Sequence, residues 1–152
     1  MFFGIIYNTK MKPPSVVLDT NILVAALRSR DGASFKILSL INTPKFQICL
    51  SVPLVLEYEE VLLRESKELL VDEQDIQELI DYLCLVGRHQ NIYFLWRPHL
   101  RDMEDDFVLE LAVAAECNYI VTFNQRDFVG VERFGVQVLG PREFLSIIGE
   151  LS

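Results

Sequence analysis

Apolar residues along this chain follow two alternating rhythms. Short contiguous runs, at Val16 to Leu18, Phe46 to Leu50, Asn91 to Leu95, Tyr119 to Thr122 and Val136 to Leu139, alternate with longer stretches in which apolar positions recur every three or four residues. The first rhythm predicts strands buried on both faces, the second amphipathic helices. Thr20 and Asn21 are suited to cap a helix that carries Ile22 to Leu27, so the first strand should stop at Asp19. Phe35, Leu38 and Ile41 mark the next helix, which Asn42-Thr43-Pro44 ends. Ser51-Val52-Pro53 opens another, with Ser51 as N-cap and Pro53 in the first turn, and there Leu54, Glu57, Val61 and Arg64 share one face. A long helix from about Asp72 to Val86 buries Ile76, Leu79, Ile80 and Leu83. The segment from Asp102 to Ala115 is rich in small apolar residues that allow close packing on a sheet, and a last helix runs from Pro141 to Ile148. Strands separated by helices predict a three-layer α/β/α sandwich around a central, mainly parallel sheet of four to five strands.

Pro13-Pro14 punctuates the entry to this pattern, so residues 1–14 are expected to be a leader and 15–150 a single domain. The leader begins Met1-Phe2-Phe3-Gly4-Ile5-Ile6-Tyr7, apolar but short, without the basic region and small-residue cleavage site of a secretion signal. No stretch reaches the roughly 18 to 20 apolar residues of a membrane span. With 152 residues, 51% of them hydrophobic, the chain has enough apolar surface for one ordered core. Its net charge of −8 disfavours plain electrostatic binding of nucleic acid, which would need cations or a local basic rim. Cys49, Cys84 and Cys117 are odd in number and sit in apolar company, as reduced thiols of a cytoplasmic protein would.

The chemistry lies in acidic residues at the ends of these elements. Asp19 ends the first strand, where a parallel sheet gathers its ligands, although a helix cap would also use Asp there. Glu57 interrupts an apolar helix face one turn beyond the second strand; a residue at the boundary with solvent would look the same. Asp102 and Asp106 stand four apart, with Asp105 between them and Glu110 extending the row. Like charges at that spacing cost a few tenths of a kcal/mol per pair. A divalent cation would reverse the sign, and a helix dipole at a solvated N-terminus would soften it. Neither His89 nor His99 stands at ligand spacing from another His or Cys, so zinc is not expected. A nucleophile elbow and a glycine-rich phosphate loop are both missing from the sequence.

Taken in order, Val17-Leu18-Asp19-Thr20-Asn21, the Ser51 and Glu57 pair, Asp102 to Asp106 with Leu109 to Ala112, Ile120-Val121-Thr122-Phe123-Asn124 and Gln125-Arg126-Asp127-Phe128 resemble the PIN-domain ribonucleases. The nearest branch is the VapC-like toxins of toxin-antitoxin pairs. The resemblance runs from about Val16 to Ile148. It implies Asp19, Glu57 and Asp106 as catalytic, metal-binding carboxylates, with Asp102 as a further acidic ligand. Asn21, Ser51 and Thr122 would orient Asp19 or a water. Asn124 stands where family members often carry Asp, with Asp127 as the candidate to supply the missing charge, so one metal ion or two stays open.

The implied activity is Mg²⁺- or Mn²⁺-dependent hydrolysis of RNA phosphodiester bonds, since hard carboxylate ligands select such ions. Arg28, Arg101 and Arg126 are the foremost candidates for RNA contact, with Arg30, Lys36 and Arg97 behind them. An antitoxin protein is implied as partner. A homodimer is expected from Leu62, Leu63, Leu69 and Leu70, which look too apolar for one helix face to hide. The main alternative is an inactive PIN-like module that binds RNA or protein. A receiver domain would want a Lys after its last strands, and an Asp-nucleophile phosphatase a second Asp where Asn21 stands.

Overall fold

The computed structural model describes residues 12–92 and 103–150, with side chains of the second stretch from Phe107 onward. Five strands form one sheet in the order β3-β2-β1-β4-β5: β1 (Ser15–Leu18), β2 (Gln47–Leu50), β3 (Arg88–His89), β4 (Tyr119–Val121) and β5 (Gln137–Leu139). Every pairing is parallel, with Val16 opposite Ile48 on one side and Tyr119 on the other. The helices are α1 (Thr20–Arg28), α2 (Ala33–Ser39), α3 (Val52–Arg64), α4 (Ser66–Leu69), α5 (Glu73–Val86), α6 (Met103–Ala114) and α7 (Pro141–Ile147), and the whole is the α/β sandwich the pattern predicts. Two 3₁₀ turns, Gln125–Phe128 and Val131–Phe134, link β4 to β5.

The central strands are buried because their side chains enter the core on both faces: Val16, Val17, Ile120 and Val121 are each 0% exposed. Phe144 of α7 meets Phe46 edge-on, with ring centroids 5.1 Å apart, tying the last helix to the entry of β2. Asp72 and Asp75 form a capping box at the start of α5, which satisfies helix N–H groups at that end.

Three expectations need correction. The third strand is Arg88–His89 rather than 91–95: Asn91 and Ile92 lie outside any strand, and 93–95 fall outside the described residues, as does His99. The N-cap of α1 is Asp19 itself, whose side chain accepts the Thr20 N–H, so Thr20 and Asn21 are its first helical residues. Of the four leucines expected on an open face, Leu62 and Leu69 are in the core at 0% and 6% exposure, while Leu63 and Leu70 are exposed.

Candidate active site at the carboxyl ends of the strands

From β1 the chain leaves toward β2 on one side, and the crossover from β3 through α6 brings it back to β4 on the other. That reversal opens a crevice above the carboxyl ends of β1 and β4, where open parallel sheets place their ligands. Asp19 follows β1 and Thr122 follows β4, so both stand at the crevice by topology alone.

Their side chains meet there. Thr122 donates its hydroxyl to Asp19 Oδ2 at 2.7 Å, and Thr122 is itself 0% exposed. Asn21 reaches the same oxygen through Nδ2 at 3.3 Å and the Thr122 hydroxyl at 3.3 Å. Asp19 Oδ1 accepts the Thr20 N–H at 2.8 Å, while the backbone N–H of Asp19 bonds Val121 O at 3.0 Å. The Asn124 N–H donates to Thr122 Oγ1 at 2.9 Å and the Phe123 N–H to Asn21 Oδ1 at 3.3 Å. Asp19 is thus fixed in place and 8% exposed.

Helix α3 supplies the second carboxylate. Ser51 caps it by accepting the Leu54 N–H at 3.3 Å, which sets the start of the helix and so the turn on which Glu57 stands. Glu57 is 9% exposed and lines one cavity of about 380 Å³ with Asp19, Asn21, Asn124 and Asp127. Tyr58, the next residue, donates its hydroxyl to Leu18 O, and burial followed by the charge of Asp19 pushes its phenol well above the ordinary tyrosine range.

The cavity brings together six of the expected residues, Asp19, Asn21, Arg28, Glu57, Asn124 and Asp127, and adds the basic Arg64. Arg28 lines it, half-exposed and paired with Glu65 at 3.3 Å; Arg64 lines it as well. The placement of Arg64 on the Glu57 face was readable from spacing, but a basic residue there gave no sign of facing carboxylates. Ser51 acts as a cap and is not part of the lining, and neither is exposed Arg126. Lys36 is engaged elsewhere, with Glu150 at 3.7 Å. Arg97, Arg101, Asp102 and the side chain of Asp106 lie outside the described residues. The backbone of Asp106 stands in the first turns of α6, and because α6 runs back down to the start of β4, that end of the helix is at the crevice side of the sheet.

The donor set is all oxygen: carboxylates, carboxamides and hydroxyls, the chemistry of a hard divalent cation. Among the described residues no group of three or more His, Cys, Asp or Glu side chains is arranged to hold one.

An all-parallel α/β sheet with buried carboxylates at its switch point defines the class. A family model described as PIN domain matches residues 15–126, and the chain belongs to that family. Solved structures that share its fold include VapBC2 from Rickettsia felis bound to a DNA fragment from its promoter (15% identity, TM-score 0.54, 83% of this chain and 98% of that one). Another is VapBC-1 from nontypeable Haemophilus influenzae (14% identity, TM-score 0.55, 84% and 98%). Comparison with curated proteins by sequence gives no match.

Proposed function

We propose that the chain is a divalent-metal-dependent endoribonuclease and the toxin of a type II toxin-antitoxin pair. The observation that carries this reading is the Asp19 carboxylate, held by Thr122 and Asn21 at the switch point with Glu57 in the same cavity. Asp19, Glu57, Asp106 and Asp102 would hold Mg²⁺ or Mn²⁺, with Asn124 and Asp127 beside them. When bound, the ion supplies charge neutralisation at a phosphate and acidifies a water. The chain's own residues do the rest. Thr122 and Asn21 bind one Asp19 oxygen and fix its direction, and Arg28 and Arg64 at the cavity wall attract the RNA backbone into an otherwise acidic site.

The two fold neighbours are VapB and VapC pairs, which supports an antitoxin partner for this chain. Three free thiols agree with the cytoplasm, and among the described residues no helix is long and apolar enough to cross a membrane. The PIN-like binding module is the second reading, favoured by the neutral Asn124.

The test is cleavage of a mixed RNA pool by the full chain with Mg²⁺ or Mn²⁺, against EDTA, Asp19→Asn and Asp106→Asn. Wild type should cut when metal is present, and each variant should lose at least about a hundredfold, the scale of losing one electrostatic contact to a transition state. A folded wild type that never cuts, and whose melting temperature no divalent ion raises, leaves the binding module.

A further inference from the structure

A second cavity, of about 570 Å³, abuts the acidic one and shares Arg28 with it; Thr122, which holds Asp19, also lines it. Its volume is within the range of small-molecule sites and its walls are mostly apolar. Ser34, in the first turns of α2, is among the lining residues. The residue is 3% exposed, yet its Oγ has no hydrogen-bond partner among the described residues. A buried hydroxyl left unmatched lowers stability, and alanine at this position would avoid that cost.

Three further features fit one kind of occupant. Phe123 lines the cavity and is 53% exposed, although its backbone is tied to Asn21. Gln125 donates to Glu143 Oε1 at 3.2 Å, and the Gly140 N–H donates to the same oxygen at 3.1 Å. A Cβ on Gly140 would come within 3.0 Å of Gln125 Nε2, so glycine preserves this carboxamide and carboxylate pair. Arg142 joins Arg28 in the lining, and the Arg28 ion pair is half-exposed, so its guanidinium stays available to a stronger anion. An apolar face, an edge of donors and acceptors and an adjoining negative charge are the three surfaces of a nucleotide. An apolar protein segment would use the walls but not the polar pair or the guanidiniums.

We propose that this cavity receives one unpaired nucleobase of the RNA, next to the phosphate at the acidic site. Phe123 stacks on its face, Ser34 and the Gln125 and Glu143 pair meet its edge, and Arg28 and Arg142 meet its phosphates. The cavity thereby sets which sequence is cut. The inference rests on the nuclease reading for the position of the scissile phosphate.

The experiment is NMR titration of the ¹⁵N-labelled full chain, in EDTA, with each of the four nucleoside 5′-monophosphates and with inorganic phosphate. Amide shifts at Ser34, Phe123 and Gln125 are expected with nucleotides and not with phosphate alone. Phe123→Ala should weaken binding roughly 5- to 150-fold, the usual scale for a lost stacking partner. Ser34→Ala should also weaken it while leaving the melting temperature equal or higher, a combination that a merely structural serine would not give. Absence of shifts with every nucleotide, or shifts indifferent to both variants, overturns the proposal and leaves the cavity to a protein segment. Because cleavage is not read, a chain that binds nucleotides here but never cuts RNA loses the nuclease reading alone. One that cuts RNA yet fails the titration loses the subsite alone.

Discussion

One oxygen of Asp19 accepts the Thr20 N–H and the other the Thr122 hydroxyl, so the carboxylate that caps the helix is the same one that the proposed site uses. The sequence made Asp19 and Glu57 legible as candidates because each sets a carboxylate against an apolar run. It could not make Ser34 legible: an unmatched hydroxyl is a property of what surrounds it, and serine is common in first turns. Tyr58 gives a test of the wall behind Asp19. Its phenol is raised above the ordinary 10.0 by burial first and by Asp19 second, so the folded state holds the proton more tightly than the unfolded chain. The stability this contributes is complete below pH 10 and is lost as pH rises toward the folded value. Thermal unfolding followed from neutral to alkaline pH should show Tyr58→Phe about 1 kcal/mol less stable near neutrality, for the lost bond to Leu18 O, and flatter than wild type above pH 10.

Among the elements, α3 and β3 show where pattern suffices and where it fails. The apolar spacing and Ser51 placed α3 closely, and Ser51, Pro53 and the Glu57 face all stand as read. Strand β3 was drawn toward Ile92 to Leu95 by their hydrophobicity, whereas the pairing partner of β2 is the polar Arg88-His89. Exposed residues at a sheet edge carry no alternation to read. The cue was Gly87: a Cβ there would lie 2.6 Å from Leu50 Cδ1 and 2.9 Å from Leu83 O, so only glycine lets the chain turn from α5 directly into the strand. Gly87→Ala should cost about 1–3 kcal/mol by overpacking, seen as a lower urea midpoint at unchanged slope. Beside it, Arg88 donates to Ala115 O at 2.7 Å and to Cys49 Sγ at 3.3 Å. Cys49, in contact with the Cys117 thiol and beside this guanidinium, is lowered to about 7, while Cys117 is raised by its bond to Cys49 and by burial.

For the whole molecule, the fold class and the parallel sheet were readable because they follow from alternation and from the handed, unbroken course of the chain. The surface was less readable, since a helix pattern does not say which apolar residues a neighbour covers. With Leu62 and Leu69 buried, the expected homodimer shifts to the outer side of α3, where Val52, Leu56 and Leu63 are 70%, 59% and 38% exposed at spacings that share one face. Light scattering at micromolar concentration should give the mass of a dimer for wild type and of a monomer for Leu56→Glu; a monomeric wild type refutes the dimer.

The bond between Thr122 and Asp19 joins residues 103 apart in the chain. During synthesis, then, every part of α1 to α5 can emerge while Asp19 still lacks the hydroxyl that orients it and β1 lacks its neighbour β4. A ribosome making this protein therefore exposes Asp19 long before the strand that carries its partner, and a chain released ahead of β4 lacks the bond that orients this carboxylate.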